Sequence, residues 1–169
     1  MDTQVKANSA DQGIEIGIKS SDRTAVVQML NHMLADQHVL YIKLRNYHWN
    51  VEGMYFQQLH ALFEEQYNGI AVQIDDIAER VRSLGHYAPG SMQEFRDLSR
   101  LQESGNLNGD HRLMLQNILA DHEMIIQVLR QDLEAAMNDY NDAGTSDFLT
   151  ALMEAHEKMA WMVRAHLKG

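Results

Sequence analysis

This chain of 169 residues contains one proline, Pro89, and apolar residues recur at helical spacing on both sides of it. Because proline breaks helices and sheet ladders, a chain almost without it can form long uninterrupted helices. The first such pattern consists of Val27, Leu30, Leu34, Tyr41, Leu44 and His48, which lie three, four or seven residues apart. Eleven methionines add flexible apolar side chains that fill helical cores well. The sequence therefore predicts an all-α fold of long helices.

Two long helices are predicted before the proline. The first has Ser21 or Asp22 as its N-terminal cap and runs to about Trp49. A short connection containing a glycine follows. The second helix runs from Tyr55 to about residue 84 and ends at Gly85, since glycine commonly terminates helices.

A short helix and two more long ones are predicted after the proline. The sequence "SMQE" at 91–94 matches a capping box and indicates that a short helix begins there. Long helices follow at about 110–137 and 148–167, the last one capped by Thr145 or Ser146. Four long helices with a long middle connection predict a four-helix bundle with one crossover, which carries the short extra helix.

The composition favours one globular domain with an acidic surface. Apolar residues make up 45% of the chain, so we expect a mobile tail at 1–20 and a single domain at 21–168. The net charge of −10 favours cations over DNA or anionic membranes. The absence of cysteine excludes disulfides and thiolate metal sites and is compatible with a cytoplasmic location. Apolar runs are short and the N-terminus lacks a secretory pattern, so we expect no membrane span.

One stripe of the second helix gathers a histidine and three acids: His60, Glu64, Asp75 and Glu79. Helical geometry places Glu64 at roughly 40° and Glu79 at roughly 100° from His60 around the axis. The neighbouring acids Glu65 and Asp76 fall at roughly 140° and 160°, on the other side of the helix. The spacing therefore predicts that three of these five acids lie on the same face of the helix as the histidine.

The length of this stripe prevents one helix from closing a metal site. His60 and Glu79 lie about 28 Å apart along the axis, whereas metal–ligand bonds are on the order of 2 Å. A second copy packed antiparallel about a two-fold axis near Gly69 would bring Asp75 and Glu79 to the mate's His60 and Glu64. Glycine inside a helix costs about 1 kcal/mol relative to alanine, so Gly69 is suited to a close helix crossing.

His48, at the end of the first helix, could supply a second imidazole. Mixed imidazole and carboxylate donors suit Fe(II), Mn(II) or Zn(II). Two structural interpretations remain open from spacing alone. The histidine and acid one turn apart could be an ordinary solvated pair, and Asp75 and Glu79 could form surface ion pairs with Arg80 and Arg82.

Other histidines and aromatic residues are expected to be structural. We interpret seven histidines as surface or core residues: His32, His38, His86, His111, His122, His156 and His166. Trp49 and Tyr67 are interpreted first as packing residues. A redox role of Trp49 near the metal is the alternative.

The segments "NYHWNVEG", "F-x-x-L-H-x-x-F-E" and "I-D-D-I-A-E-R" followed by "SLG" resemble the Dps family of miniferritins, and the similarity covers roughly residues 14–168. The resemblance implies a ferritin-like bundle that assembles into a hollow dodecamer with ferroxidase sites at its two-fold interfaces. The implied metal ligands are His48, His60 and Glu64 from one subunit and Asp75 and Glu79 from its two-fold mate. The position of Glu64 often holds aspartate in the family. Ordinary ferritins use Glu-x-x-His within one bundle, a pattern that this sequence lacks.

The activity implied by the resemblance is oxidation of Fe(II), preferentially by hydrogen peroxide, with storage of ferric mineral inside the shell. Such a protein is a ferroxidase that stores iron and protects against oxidative stress. The resemblance also places Asp139, Asp142 and Asp147 at a three-fold pore, where acids would attract Fe(II). A polar turn with a helix-capping acid is the simpler interpretation of these residues.

The N-terminal tail argues against strong DNA binding, for which some family members use clustered lysines. Three cations there are outnumbered by four acids: Lys6, Lys19 and Arg23 against Asp2, Asp11, Glu15 and Asp22. Because contacts with DNA phosphates need clustered cations, we expect weak or absent DNA binding. A nucleoid-associated protein that compacts DNA is the alternative function, and a non-catalytic cage is a third.

Overall fold

The computed structural model describes residues 13–168. This part of the chain forms five helices, α1 Ser20–Asn50, α2 Phe56–Ser83, α3 Met92–Leu98, α4 His111–Asn138 and α5 Ala143–His166. α1 packs along α2 and α4 along α5, while the short α3 packs on α1. The predicted all-α, ferritin-like four-helix bundle with a short helix in the crossover is confirmed. Within this range no helix is long and apolar enough to cross a membrane.

The first helix begins earlier than its predicted cap. α1 starts at Ser20, and Lys19 is the N-cap, with extended backbone and no side-chain hydrogen bond to the helix end. The prediction that Ser21 or Asp22 caps the helix was wrong, because both residues already lie in its first turn. Asp22 still favours the helix there, since a carboxylate complements the positive end of the helix dipole. Of the predicted tail, residues 1–12 lie outside the described residues and residues 13–19 precede α1.

Three predicted helix boundaries are confirmed by local contacts. Gly85 follows the C-cap of α2 with φ 88°, a left-handed conformation that glycine adopts without steric strain. Ser91 and Glu94 form the capping box at the start of α3. The Asp110 side chain accepts a hydrogen bond from the Leu113 backbone N–H at 3.0 Å and caps α4.

α1 is the central helix of the bundle. Five consecutive residues, 33–37, are buried, which is more than one full turn and shows that neighbours cover α1 on all sides. Two of them, Asp36 and Gln37, are polar and fully buried. The Asp36 carboxylate accepts hydrogen bonds from Arg100 Nε at 2.8 Å and Ser99 Oγ at 3.0 Å. These bonds attach the segment after α3 to α1 and fix the crossover on the bundle.

Candidate metal centre

His48 and His60 form a reciprocal pair where α1 ends and α2 begins. The two rings are stacked, with centroids 3.6 Å apart and planes 21° from parallel. Nδ1 of His48 lies 2.8 Å from the backbone oxygen of His60, and Nδ1 of His60 lies 2.8 Å from the backbone oxygen of His48. These two hydrogen bonds join the end of α1 to the start of α2 and hold both imidazoles in fixed orientations.

These hydrogen bonds determine which nitrogen of each ring can bind a metal. A carbonyl oxygen only accepts hydrogen bonds, so Nδ1 of both histidines must be the protonated donor. In the neutral imidazole, Nε2 then carries the lone pair. Donation of the second ring N–H to a carbonyl is the arrangement that orients metal-binding histidines in proteins and makes them more basic ligands. His48 and His60 are thus prepared as a pair of Nε2 ligands.

The three acids of the predicted stripe are exposed on α2. Glu64, Asp75 and Glu79 all face solvent in the single chain. The Glu64 carboxylate lies 3.4 Å from the Tyr67 hydroxyl. This exposure leaves the carboxylates accessible to a cation or to a second copy of the chain.

Arg80 and Arg82 turn away from these acids. Arg80 forms an ion pair with Asp142 at 3.0 Å. Arg82 donates to the backbone oxygen of His86 and lies over the Tyr87 ring. Among the described residues, the alternative that these arginines neutralise the acidic stripe is therefore wrong.

One chain does not bring the five predicted ligands together. No group of three or more histidines and acids within residues 13–168 is placed to hold a metal ion. The sharing of the site between two chains remains a prediction. Gly69 is exposed in the middle of α2, and a Cβ built on it would meet no atom within 4 Å in its own chain. Packing within the subunit therefore does not explain the glycine.

Comparisons with known proteins agree with this fold. Residues 27–169 match the model of the ferritin-like domain family. The low temperature-induced protein all0458 of Nostoc sp. strain PCC 7120 is 43% identical over 92% of this chain and 87% of its own length. DNA protection during starvation protein 2 of Bacillus anthracis is 39% identical over 84% and 96%. The crystal structure of a Dps protein from Vibrio cholerae O1, described as a member of the ferritin-like diiron-carboxylate superfamily, superposes with a TM-score of 0.87 at 31% identity and covers 92% of this chain and 96% of its own.

The chain belongs to the Dps family. In this Dps-family chain the predicted pore acids occupy different environments. Asp139 and Asp147 are exposed. Asp142 is 2% exposed and is the N-cap of α5. The pore prediction therefore rests on Asp139 and Asp147.

The cap of α5 explains why the helix starts five residues before its predicted beginning. The Asp142 carboxylate accepts hydrogen bonds from the backbone N–H of Thr145 at 2.9 Å and from its hydroxyl at 2.6 Å. The prediction that Thr145 or Ser146 caps this helix was wrong, because both lie in its first turn. Arg80 joins the cap through Asp142 and the Thr145 hydroxyl. Asp is a preferred N-cap residue, and the simpler interpretation of this turn, a helix-capping acid, is confirmed for Asp142.

Two of the histidines predicted to be structural form the polar centre of the bundle. His122 of α4 and His156 of α5 are fully buried, with their Nδ1 atoms 2.9 Å apart. His122 Nε2 lies 3.3 Å from Gln66 Oε1, and His156 Nε2 lies 2.7 Å from Gln37 Nε2.

The amide groups assign every proton in this chain of hydrogen bonds. Gln66 Oε1 only accepts, so His122 Nε2 donates and its Nδ1 accepts from His156 Nδ1. His156 Nε2 then accepts from the Gln37 amide. Burial lowers the pKa of His122 to about 3, and burial followed by the neighbouring His122 lowers the pKa of His156 well below its usual value. Both core histidines are therefore neutral near pH 7.

Proposed function

We propose that this protein is a ferroxidase miniferritin, which oxidises Fe(II), preferentially with hydrogen peroxide, and stores the ferric product inside a dodecameric shell. Membership of the Dps family supports iron binding and stress protection as the general function. The observation that carries the proposal is the reciprocal hydrogen bonding of His48 and His60, which leaves two oriented Nε2 ligands. A helix with exposed acids at matching spacing begins directly beside them.

The proposed site consists of His48, His60 and Glu64 from one subunit and Asp75 and Glu79 from its two-fold mate. Neutral imidazoles bind Fe(II), and the carboxylates stabilise Fe(III), which is a harder cation. Two Fe(II) ions bound together deliver two electrons to one peroxide, whose O–O bond breaks and whose oxygens take up two protons to leave as two waters. No hydroxyl radical is released, because neither electron is transferred alone.

Iron reaches the shell interior through an acidic entrance in this proposal. Asp139 and Asp147 are exposed near the turn between α4 and α5. Three copies of this turn around a three-fold axis would concentrate negative potential, which attracts Fe(II).

Mixed assemblies test whether the site is shared between chains. We expect His60→Ala and Asp75→Asn each to abolish most peroxide-driven oxidation of Fe(II), followed by ferric absorbance after anaerobic loading. In a two-fold pair of one variant with the other, one of the two sites combines the intact His60 of one chain with the intact Asp75 of its mate. Random co-assembly of equal amounts should therefore restore about a quarter of the parent's sites.

The control is a mixture of the two variants assembled separately and never dissociated, which should stay inactive. If co-assembly restored no activity although both variants formed shells, the shared site would be refuted. Equal oxidation by His60→Ala and the parent would refute the ferroxidase assignment itself.

Direct DNA binding is the alternative function, and the name of the Bacillus anthracis relative refers to DNA protection. The net charge of −10 per chain opposes it, because a shell of many copies multiplies the repulsion of phosphates. We propose protection through removal of iron and peroxide, with weak or absent DNA binding. Nanomolar affinity in a gel shift at about 150 mM salt would contradict this.

A further inference from the structure

Tyr67 touches two of the proposed metal ligands, which lie on two different helices. Its hydroxyl lies 3.4 Å from the Glu64 carboxylate, one turn earlier on α2. Its ring meets the His48 ring of α1 edge-on, with centroids 5.3 Å apart. The Tyr67 side chain therefore contacts both the acid of α2 and the imidazole of α1.

Neighbours on α1 hold Tyr67 in place. The Arg45 guanidinium lies over the Tyr67 ring at 5.1 Å from its centroid, and Arg45 Nη1 donates to the Tyr41 hydroxyl at 2.8 Å. Tyr41 meets Tyr67 edge-on at 6.0 Å. Arg45 also lies 5.1 Å from the centroid of Trp49. Three aromatic rings around one cation form a rigid support, because cation–π and edge-to-face contacts both prefer defined geometries.

Glu64 needs such a support more than the histidines do. His48 and His60 are oriented by each other's backbone oxygen. Glu64 is exposed, and its long side chain loses considerable rotamer freedom when it becomes a ligand. The Tyr67 hydroxyl is the group that can limit this freedom from within the same chain, since it lies beside the carboxylate.

We propose that Tyr67 is a positioning residue that orients the Glu64 carboxylate toward the His48–His60 pair and so raises the affinity of the metal position that uses Glu64. This inference rests on the proposed function. At 3.4 Å the contact is longer than an ordinary hydroxyl–carboxylate hydrogen bond. A small rotation of the Glu64 side chain would bring the two groups to the distance of an ordinary hydrogen bond. Partners of metal ligands commonly contribute 10- to 100-fold in metal affinity, which sets the expected scale at about tenfold or more.

The test is an anaerobic calorimetric titration of the assembled full-length protein with Co(II), which binds such ligands and is not oxidised during the measurement. We expect Tyr67→Phe to weaken the binding step that uses Glu64 by about tenfold. Tyr41→Phe is the matched control, because it removes a hydroxyl that bonds Arg45 rather than a proposed ligand and keeps the ring that meets Tyr67 edge-on. It should weaken Co(II) binding clearly less than Tyr67→Phe does.

Glu64→Gln identifies the affected step, and the double variant tests the coupling. If Tyr67 acts through Glu64, adding Tyr67→Phe to Glu64→Gln should weaken Co(II) binding no further, as expected for two residues that act as one unit. Equal affinities of Tyr67→Phe and the parent would overturn the inference, as would a tenfold loss that persists in the Glu64→Gln background. Failure of the proposed function has a different signature, namely Co(II) binding that His60→Ala leaves unchanged.

Discussion

Two histidine pairs in this molecule have opposite chemistry. At the junction of α1 and α2, His48 and His60 stack at 3.6 Å and each uses only Nδ1 for hydrogen bonding to a backbone oxygen. In the bundle core, His122 and His156 face each other through Nδ1, and their Nε2 atoms are bonded to glutamine side chains. The first pair keeps a lone pair on Nε2 of each ring, and the second pair uses both nitrogens of each ring for hydrogen bonds within the core.

The difference lies in the partners, since the residue type is the same in both pairs. A backbone oxygen accepts one hydrogen bond from each ring and donates none, so the opposite nitrogen keeps its lone pair. A glutamine amide both donates and accepts, so one glutamine can accept from His122 while another donates to His156. These bonds avoid the cost of buried ring nitrogens without partners and make the core histidines structural, although the Gln37 Oε1 atom is buried without a partner among the described residues.

The largest expected effect is on stability, from His122→Ala. The substitution opens a cavity in the core and leaves the Nδ1–H of His156 and the Oε1 of Gln66 without their partner. We expect a loss of about 4 kcal/mol in the free energy of unfolding per subunit. Urea unfolding at a fixed subunit concentration measures it. Co(II) affinity of the assembled variant should match that of the parent, and a loss below about 1 kcal/mol would contradict the structural role.

His60→Ala should have the reverse profile. Removing one proposed ligand of the His48–His60 pair should weaken Co(II) binding by about 100-fold or more. The free energy of unfolding should change by about 1 kcal/mol, because His60 is only half-buried and contributes one hydrogen bond to its own fold. The same titration and unfolding experiments test both values. A variant with unchanged metal affinity and several kcal/mol less stability would show that this pair is structural after all.

Acid should destabilise the core pair. The pKa of His122 is lowered to about 3 in the folded chain, against about 6.5 when unfolded. Because the folded state disfavours the protonated ring, the stabilising contribution is complete above pH 6.5 and falls as the pH drops below it. For His122 alone, we expect the free energy of unfolding to fall by about 2 kcal/mol between pH 7 and pH 5.

Unfolding curves of the parent and His122→Gln across this pH range isolate the effect, since the other histidines are common to both. The parent should have the steeper pH dependence, by about one proton per subunit near pH 5. Identical slopes would show that His122 titrates normally in the folded state.

The smallest expected effect is that of His166→Ala, near the end of α5. His166 is exposed, and its Nδ1 bonds the backbone oxygen of Met162 in its own helix at 2.9 Å. We expect a change of about 0.5 kcal/mol or less in the free energy of unfolding and none in Co(II) affinity. This variant separates the two pairs from a histidine that has neither role, and a clear effect on either measurement would mean that His166 lies in an interface of the assembly.

Sequence patterns predicted those parts of the fold that depend on neighbours within one or two turns. The Ser91–Glu94 capping box and the Gly85 terminus are of this kind, because both partners lie within a few residues. The start of α5 was missed because several polar residues in succession could each have capped it. The contact with Arg80, which is 62 residues away in sequence, helps hold Asp142 in the cap.

The candidate site divides in the same way. Helical periodicity placed Glu64, Asp75 and Glu79 on the stripe of His60 and separated them from Glu65 and Asp76. The structure of the single chain adds the orientation of the imidazoles. It also shows that Arg80 and Arg82 bond to other partners and not to the acids of the stripe. The meeting of the two halves of the site across a two-fold axis stays a prediction, because it depends on contacts between chains.

Spacing along the chain is therefore sufficient to decide which residues share a helical face, because that face follows from a fixed rotation per residue. Spacing cannot decide which ring nitrogen of a histidine keeps a lone pair that is not used in a hydrogen bond. That depends on the atom opposite the ring, which lies 12 residues away for His48 and 34 residues away for His122. Such partners meet only when the helices pack. Packing thus leaves the lone pair on Nε2 of each imidazole in one pair and uses both ring nitrogens of the other pair for hydrogen bonds in the core.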